Sequence, residues 1–283
     1  MIGAIRAEWL KAGKRPAVYV LLAVLLAVLV LLFYLLFWYL FTYRADAILR
    51  GTPPGTRPEN LKQLLYPQHF LQQMLSAARQ VGGPICLILG VQMAGSDYGW
   101  GTWKTVFTQR PPRLVVWVAK VVVMLVLIAI GTVLFVAVAA ACSAAVASLD
   151  GVSSPWPSLA DTLRAAGAAW LIFAMWAAMG IFLAVLFQQS ALAVGLGLVY
   201  LLVLESVVLA VVGLSPALSA IEKPFPGVNA TALSQAFGTV RGLGDARAAT
   251  PIVGATQATV VLAAYCLAFL GLGGLLVRQR DVT

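Results

Sequence analysis

Residues 17–41 read AVYVLLAVLLAVLVLLFYLLFWYLF, with no charged side chain from Ala17 to Phe41. A helix of this length spans a hydrocarbon core of about 30 Å, which takes about 20 residues at 1.5 Å each. A membrane strand would alternate apolar and polar side chains, and this run is solidly apolar, so it reads as a helix. It is too long for the apolar core of a cleaved signal, and no small-residue cleavage site follows. The segment is therefore expected to stay as a span.

Five further apolar runs of similar reach follow, at 70–94, 114–147, 163–187, 191–212 and 251–277. The run at 114–147 exceeds what a bilayer needs and is expected to tilt or project into water. Composition agrees: 61% of residues are apolar and 10% charged, against about 45–50% and about 25% in soluble domains. Lipid must cover the excess. The predicted fold is therefore all-α and polytopic, with six transmembrane helices. A net charge of +9 suits basic flanks on an anionic leaflet, and no basic patch of the kind that binds nucleic acid is evident. Cys86, Cys142 and Cys266 each lie in an apolar stretch without metal or disulfide spacing, and read as buried free thiols.

Six spans put both termini on one side. With the N-terminus inside, the cytoplasmic segments hold Arg6, Lys11, Lys14, Arg15, Lys104, Arg110, Arg113, Lys120, Arg278 and Arg280. Those segments are shorter, so their basic density is about twofold that of the other side, which favours cytoplasmic termini in a cell membrane. The first three spans do not resemble the last three, which counts against the internal repeats common in secondary transporters.

Four segments carry more than hydropathy. Residues 1–16 read as an amphipathic interfacial helix. Ile2, Ile5, Trp9, Leu10 and Gly13 share one side, and Glu8, Lys11, Lys14 and Arg15 the other. Arg6 falls on the apolar side and must snorkel or meet a partner. Pro16 ends this helix and begins the first span at a new angle. Residues 96–113 form a cytoplasmic loop in which Ser96 or Asp97 can cap a short helix closed by Pro111-Pro112. Tyr98, Trp100, Trp103 and Phe107 give it the composition of a protein–protein anchor, although the headgroup belt also attracts such aromatics.

Glu205 stands inside the fifth span, where an acid costs at least about 2.5 kcal/mol unless paired or wet. Arg79 is its natural opposite charge, and the two mark a possible translocation path. The outer segment 213–250 carries Pro216, Pro224, Pro226 and Gly227 and is moderately apolar, which suggests short re-entrant helices. Asn229-Ala230-Thr231 within it matches a glycosylation acceptor, a frequent chance match. The single histidine, His69, reads as incidental. The chain has no G-x-x-x-x-G-K-[ST], H-E-x-x-H or G-x-S-x-G motif, so no nucleotide site, metal site or enzyme activity is expected of it, and it binds no cofactor itself.

These features together resemble the permease subunits of type 2 ABC exporters, over nearly the whole chain. The matching residues are Ala7-Glu8-Trp9-Leu10-Lys11 before the first span and Gly95-Ser96-Asp97-Tyr98 with Gly101-Thr102-Trp103-Lys104 after the second. Arg113 and Lys120, Glu205 late in the fifth span, and the Pro/Asn/Ala-rich outer segment complete the match. Asp97 stands where that family more often has glutamate. The resemblance implies a six-span domain (17–283) behind the interfacial helix (1–16). It implies that the first cytoplasmic loop is a coupling helix, with Asp97, Tyr98, Trp100, Gly101, Thr102, Trp103 and Lys104 seated on a separate ATPase subunit that binds ATP and magnesium. A second permease copy, identical or related, would complete the unit, and the cargo would be hydrophobic or amphiphilic: a drug, an antibiotic or a lipid. The alternatives are an ion- or proton-coupled carrier using Glu205 and Arg79, and a non-transporting membrane scaffold or immunity protein.

Overall fold

A short helix, α1 (Ile2–Gly13), precedes six helices long and apolar enough to cross a membrane. These are α2 (Pro16–Tyr43), α3 (Pro67–Tyr98), α4 (Arg113–Leu149), α5 (Leu159–Phe187), α6 (Ser190–Val208) and, after the ten-residue helix α7 (Pro226–Gln235), α8 (Ala255–Gln279). The computed structural model describes residues 1–44, 61–99, 112–212, 222–238 and 252–279, and among these every regular element is helical. The chain thus has the architecture of a helical multi-pass membrane protein, and each observed span overlaps one of the apolar runs. The interfacial helix is shorter than expected, closing at Gly13. Arg15 is extended (φ −88°, ψ 113°) and Pro16 opens α2, because proline disfavours helical geometry in the residue before it.

Two helices form the centre. In α5, 67% of the most apolar window is buried by protein, and in α3 56%, whereas the other four spans reach 28% at most. Small residues explain the choice. A Cβ added to Gly90 would collide with the Ala177 carbonyl oxygen, and one added to Gly180 would collide with the Leu87 carbonyl oxygen. Nearby, Gly82 lies under the Phe173 ring and Gly83 under Trp176. Backbone can meet backbone only where side chains vanish, which is how helices associate when lipid removes the hydrophobic drive. Around this pair α8 packs on α5, α6 on both α3 and α5, and α1 on α4.

At its start α5 is capped by Ser158, whose hydroxyl accepts from the Asp161 amide at 3.1 Å. It ends where Gln188 turns left-handed (φ 54°), which sends α6 straight back. With 37 residues, α4 is about 55 Å long and overshoots the bilayer core as its sequence predicts. At its far end Asp150 binds Lys62 (2.7 Å) and accepts from the Tyr66 hydroxyl (3.1 Å). Burial, and then Asp150, raise the Tyr66 phenol above its ordinary range, so it stays a donor. The cysteines are free, Cys86 and Cys266 buried and Cys142 partly so.

Candidate functional site

Five charged side chains gather at the end of the bundle that holds the N-terminus. Lys120, about two turns into α4, is fully buried. Its ammonium donates to Asp97 Oδ2 at 2.6 Å, Glu8 Oε2 at 2.8 Å and the Met93 carbonyl at 2.9 Å. Three acceptors match its three protons. Arg15 reaches the other oxygen of Asp97 through Nη2 at 2.7 Å, and through Nη1 it donates to the Gln92 carbonyl at 3.1 Å. Lys11 closes the ring, 2.7 Å from Glu8 Oε1 and 3.5 Å from Asp97 Oδ1. Three cations thus enclose two carboxylates.

The local sequence explains the convergence. Glu8 and Lys11 are a turn apart on α1, and Arg15 lies beyond them at the bend forced by Pro16. Gln92 and Met93 are near the C-terminal end of α3, where carbonyls and the helix dipole favour cations. Removing charges from water is costly, and a hub of this kind holds only because each carboxylate has more than one partner.

This geometry turns α1 over relative to a simple interfacial helix. The side bearing Glu8, Lys11 and Arg15 faces the protein, with Glu8 and Ala12 buried, while Ile2, Trp9 and Leu10 are exposed; Lys14 stays exposed and Ile5 packs against the core. In a membrane that outward apolar side meets lipid. Of the residues assigned to the interfacial helix, Arg6 and Trp9 are exposed, and Lys11 is half-buried in the hub.

Asp97 departs from its expected place. Neither Ser96 nor Asp97 caps a separate loop helix, because both lie inside the helix Gly83–Gly99 with which α3 ends. The Ser96 hydroxyl donates back to the Gln92 carbonyl at 2.7 Å. Asp97 is 3% exposed and is a hub residue rather than a surface contact; Tyr98 packs partly against the core. The remaining residues assigned to the loop, Trp100, Gly101, Thr102, Trp103 and Lys104, lie outside the described residues. The two helices that bound it are therefore tied together by Asp97 and Lys120. Beside them the Trp117 indole of α4 rests on Gly273 and Gly274 of α8 and donates to the Leu270 carbonyl at 3.2 Å.

The intramembrane charges sit in the other half of the bundle. Glu205 follows a π-helical stretch, Tyr200–Leu204, and Arg79 lies in another, Ala78–Gly82. Such wide turns recur at functional sites. The expected contact of Glu205 with Arg79 is replaced by an indirect one through α7. Glu205 accepts from the Gly227 amide at 2.6 Å, in the first turn of α7. One turn later Thr231 accepts from Arg79 at 3.3 Å and donates to the Gly227 carbonyl at 2.7 Å. A helix N-terminus is a natural seat for a carboxylate. A Cβ on Gly227 would stand 2.6 Å from Glu205 Oε1, so the carboxylate would have to shift to admit one.

Within the expected re-entrant region, residues 222–238 are described; α7 packs on α8 and on the neighbouring parts of α3 and α5. Asn229 is fully buried, with its amide nitrogen donating to the Lys223 and Phe225 carbonyls, so the acceptor motif is not presented for glycosylation. His69 ends a short turn at the start of α3. Among the described residues no group of His, Cys, Asp and Glu could hold a metal ion.

A comparison with protein families matches residues 54–283 to the family described as "Protein of unknown function (DUF2705)". No curated protein matches the chain.

Proposed function

We propose that this chain, which belongs to the DUF2705 family, is the membrane-spanning permease subunit of an ATP-driven exporter of the type 2 ABC kind. The carrying observation is the charge hub where α3 and α4 flank segment 100–111. Asp97 at the end of α3 and Lys120 near the start of α4 are joined at 2.6 Å, and Glu8 fastens α1 to the same lysine. A push on the intervening loop would enter both spans and α1 together, as a rigid-body displacement.

In this reading the aromatic residues Trp100 and Trp103, with Lys104, dock on a separate ATPase subunit that carries ATP and magnesium. Asp97 passes the motion on from inside the bundle. The side bearing the N-terminus is cytoplasmic, a second permease copy completes the unit, and the cargo is hydrophobic or amphiphilic. ATP drives the cycle only if its binding favours one arrangement of the spans over another.

The test is co-expression with an ATPase encoded beside this chain, followed by affinity capture and transport in vesicles. Trp100→Ala with Trp103→Ala is expected to lose ATPase capture and ATP-dependent transport while the protein still folds. Undiminished capture and transport would remove the docking assignment. A carrier reading has one observation in its favour, the two intramembrane charges Arg79 and Glu205 meeting the same short helix. It requires transport without ATP that Glu205→Gln abolishes.

A further inference from the structure

At the end of the bundle away from the N-terminus, a groove of about 480 Å³ opens between α5, the end of α7 and the start of α8. Its volume is within the range of single-ligand sites, about 300–1,000 Å³. The space exists because Gly167, Ala168, Ala236 and Ala255 line it. A Cβ placed on Gly167 would meet nothing within 4 Å.

The lining is graded along the membrane normal. Both α5 and α8 begin at this end, so residue number measures depth. Arg164 and Thr256 lie nearer the helix starts; Leu171 and Val260 lie further along, with Leu233 supplied by α7 and Phe237 by the turn after it. Arg164 to Leu171 covers about 10 Å, enough to reach from a headgroup into the acyl region. The Thr259 hydroxyl is engaged by the Ala255 carbonyl at 2.9 Å, and Thr256, in the first turn of α8, offers the other hydroxyl of the lining. Arg164 itself is 73% exposed, and its contact with Asp161 is a loose one at 3.3 Å. An exposed pair of this type gives way readily to a better anion.

We propose that this groove binds one anionic phospholipid of the adjacent leaflet, its phosphate on Arg164 and Thr256 and an acyl chain running down past Leu171 and Val260. A cation above an apolar slot matches an acid headgroup with a hydrocarbon tail. A zwitterionic headgroup would bring its own cation to the same rim. The proposal does not depend on the exporter reading, since it needs only the helices to lie in a bilayer.

The test uses the full-length protein in a neutral detergent, incubated with dioleoyl phosphatidylglycerol or dioleoyl phosphatidylcholine and read by native mass spectrometry. Phosphatidylglycerol is expected to be retained in preference, and Arg164→Gln to reduce its retention about tenfold, the effect of one charge-assisted contact. Arg164→Lys should restore most of the retention. Gly167→Leu, which fills the slot without touching the cation, should also cut it. Excess inorganic phosphate should leave the lipid in place. Equal retention of the two lipids would identify annular lipid only and overturn the proposal. So would displacement by phosphate, or retention unchanged in both Arg164→Gln and Gly167→Leu. Size-exclusion profiles identify any misfolded variant, and Thr256→Val, expected to weaken retention, then takes its place.

Discussion

Lys120 shows how a single residue can have two readings. In sequence it is one lysine interrupting an apolar run, and it could as well have snorkelled to the interface. In the fold it is fully buried and holds Glu8 and Asp97 together. Methionine has similar bulk and no charge, so Lys120→Met leaves two carboxylates in a dry site with Arg15 and Lys11 alone. Breaking a buried pair costs about 3–5 kcal/mol, and the remaining cations place the expected loss near the lower figure. The unfolding of wild type, Lys120→Met, Asp97→Asn and the double variant in mixed micelles would measure it. The second change should cost much less once the first is made. Strict additivity would mean that the two side chains do not act as a unit.

Among the elements, α3 and α5 depend on contact between their backbones at Gly90 and Gly180, where an added Cβ meets a carbonyl oxygen of the opposing helix. Neither helix can yield at such a point without separating from its partner. Gly90→Val and Gly180→Val are therefore expected to abolish folded, monodisperse protein on size exclusion. Gly195→Ala and Gly271→Ala, where a Cβ meets nothing within 4 Å, should be neutral or stabilising by about 0.4–1 kcal/mol through the unfolded state. A folded Gly180→Val protein with an unchanged melting temperature would contradict this packing. The same scale accounts for α1. Its helical wheel separates charged from apolar residues whether the charges meet water or protein, and only the acceptors on α3 and the cation of α4 draw the charged side inward.

For the whole molecule, the hub, the start of α4 and the end of α8 lie at one end, and the Lys62–Asp150 pair and the lipid groove at the other. The basic residues that flank the spans favour cytoplasmic placement of the first end. In a cysteine-free background, a cysteine at Gly3 should react with an impermeant thiol reagent only after the membrane is opened, whereas one at Ser153 should react in intact cells. The reverse pattern would invert the orientation.

The number of spans and their approximate limits were legible in sequence, because hydrocarbon imposes length and apolarity on each helix independently of its neighbours. The bend at Pro16 was legible too, since proline acts on its own backbone and on the residue before it. The partners of the charges were not. Asp97 belonged to an aromatic-rich stretch that reads as a loop, yet the last helix of α3 includes it and carries the carboxylate into protein. Arg79 and Glu205 have the right signs for each other, but α7 offers a hydroxyl to the first and an amide to the second. Sequence by itself determined what lipid demands of each helix separately. Which charges meet, and which face of α1 turns inward, only the tertiary structure decided, because those energies arise between segments far apart in the chain.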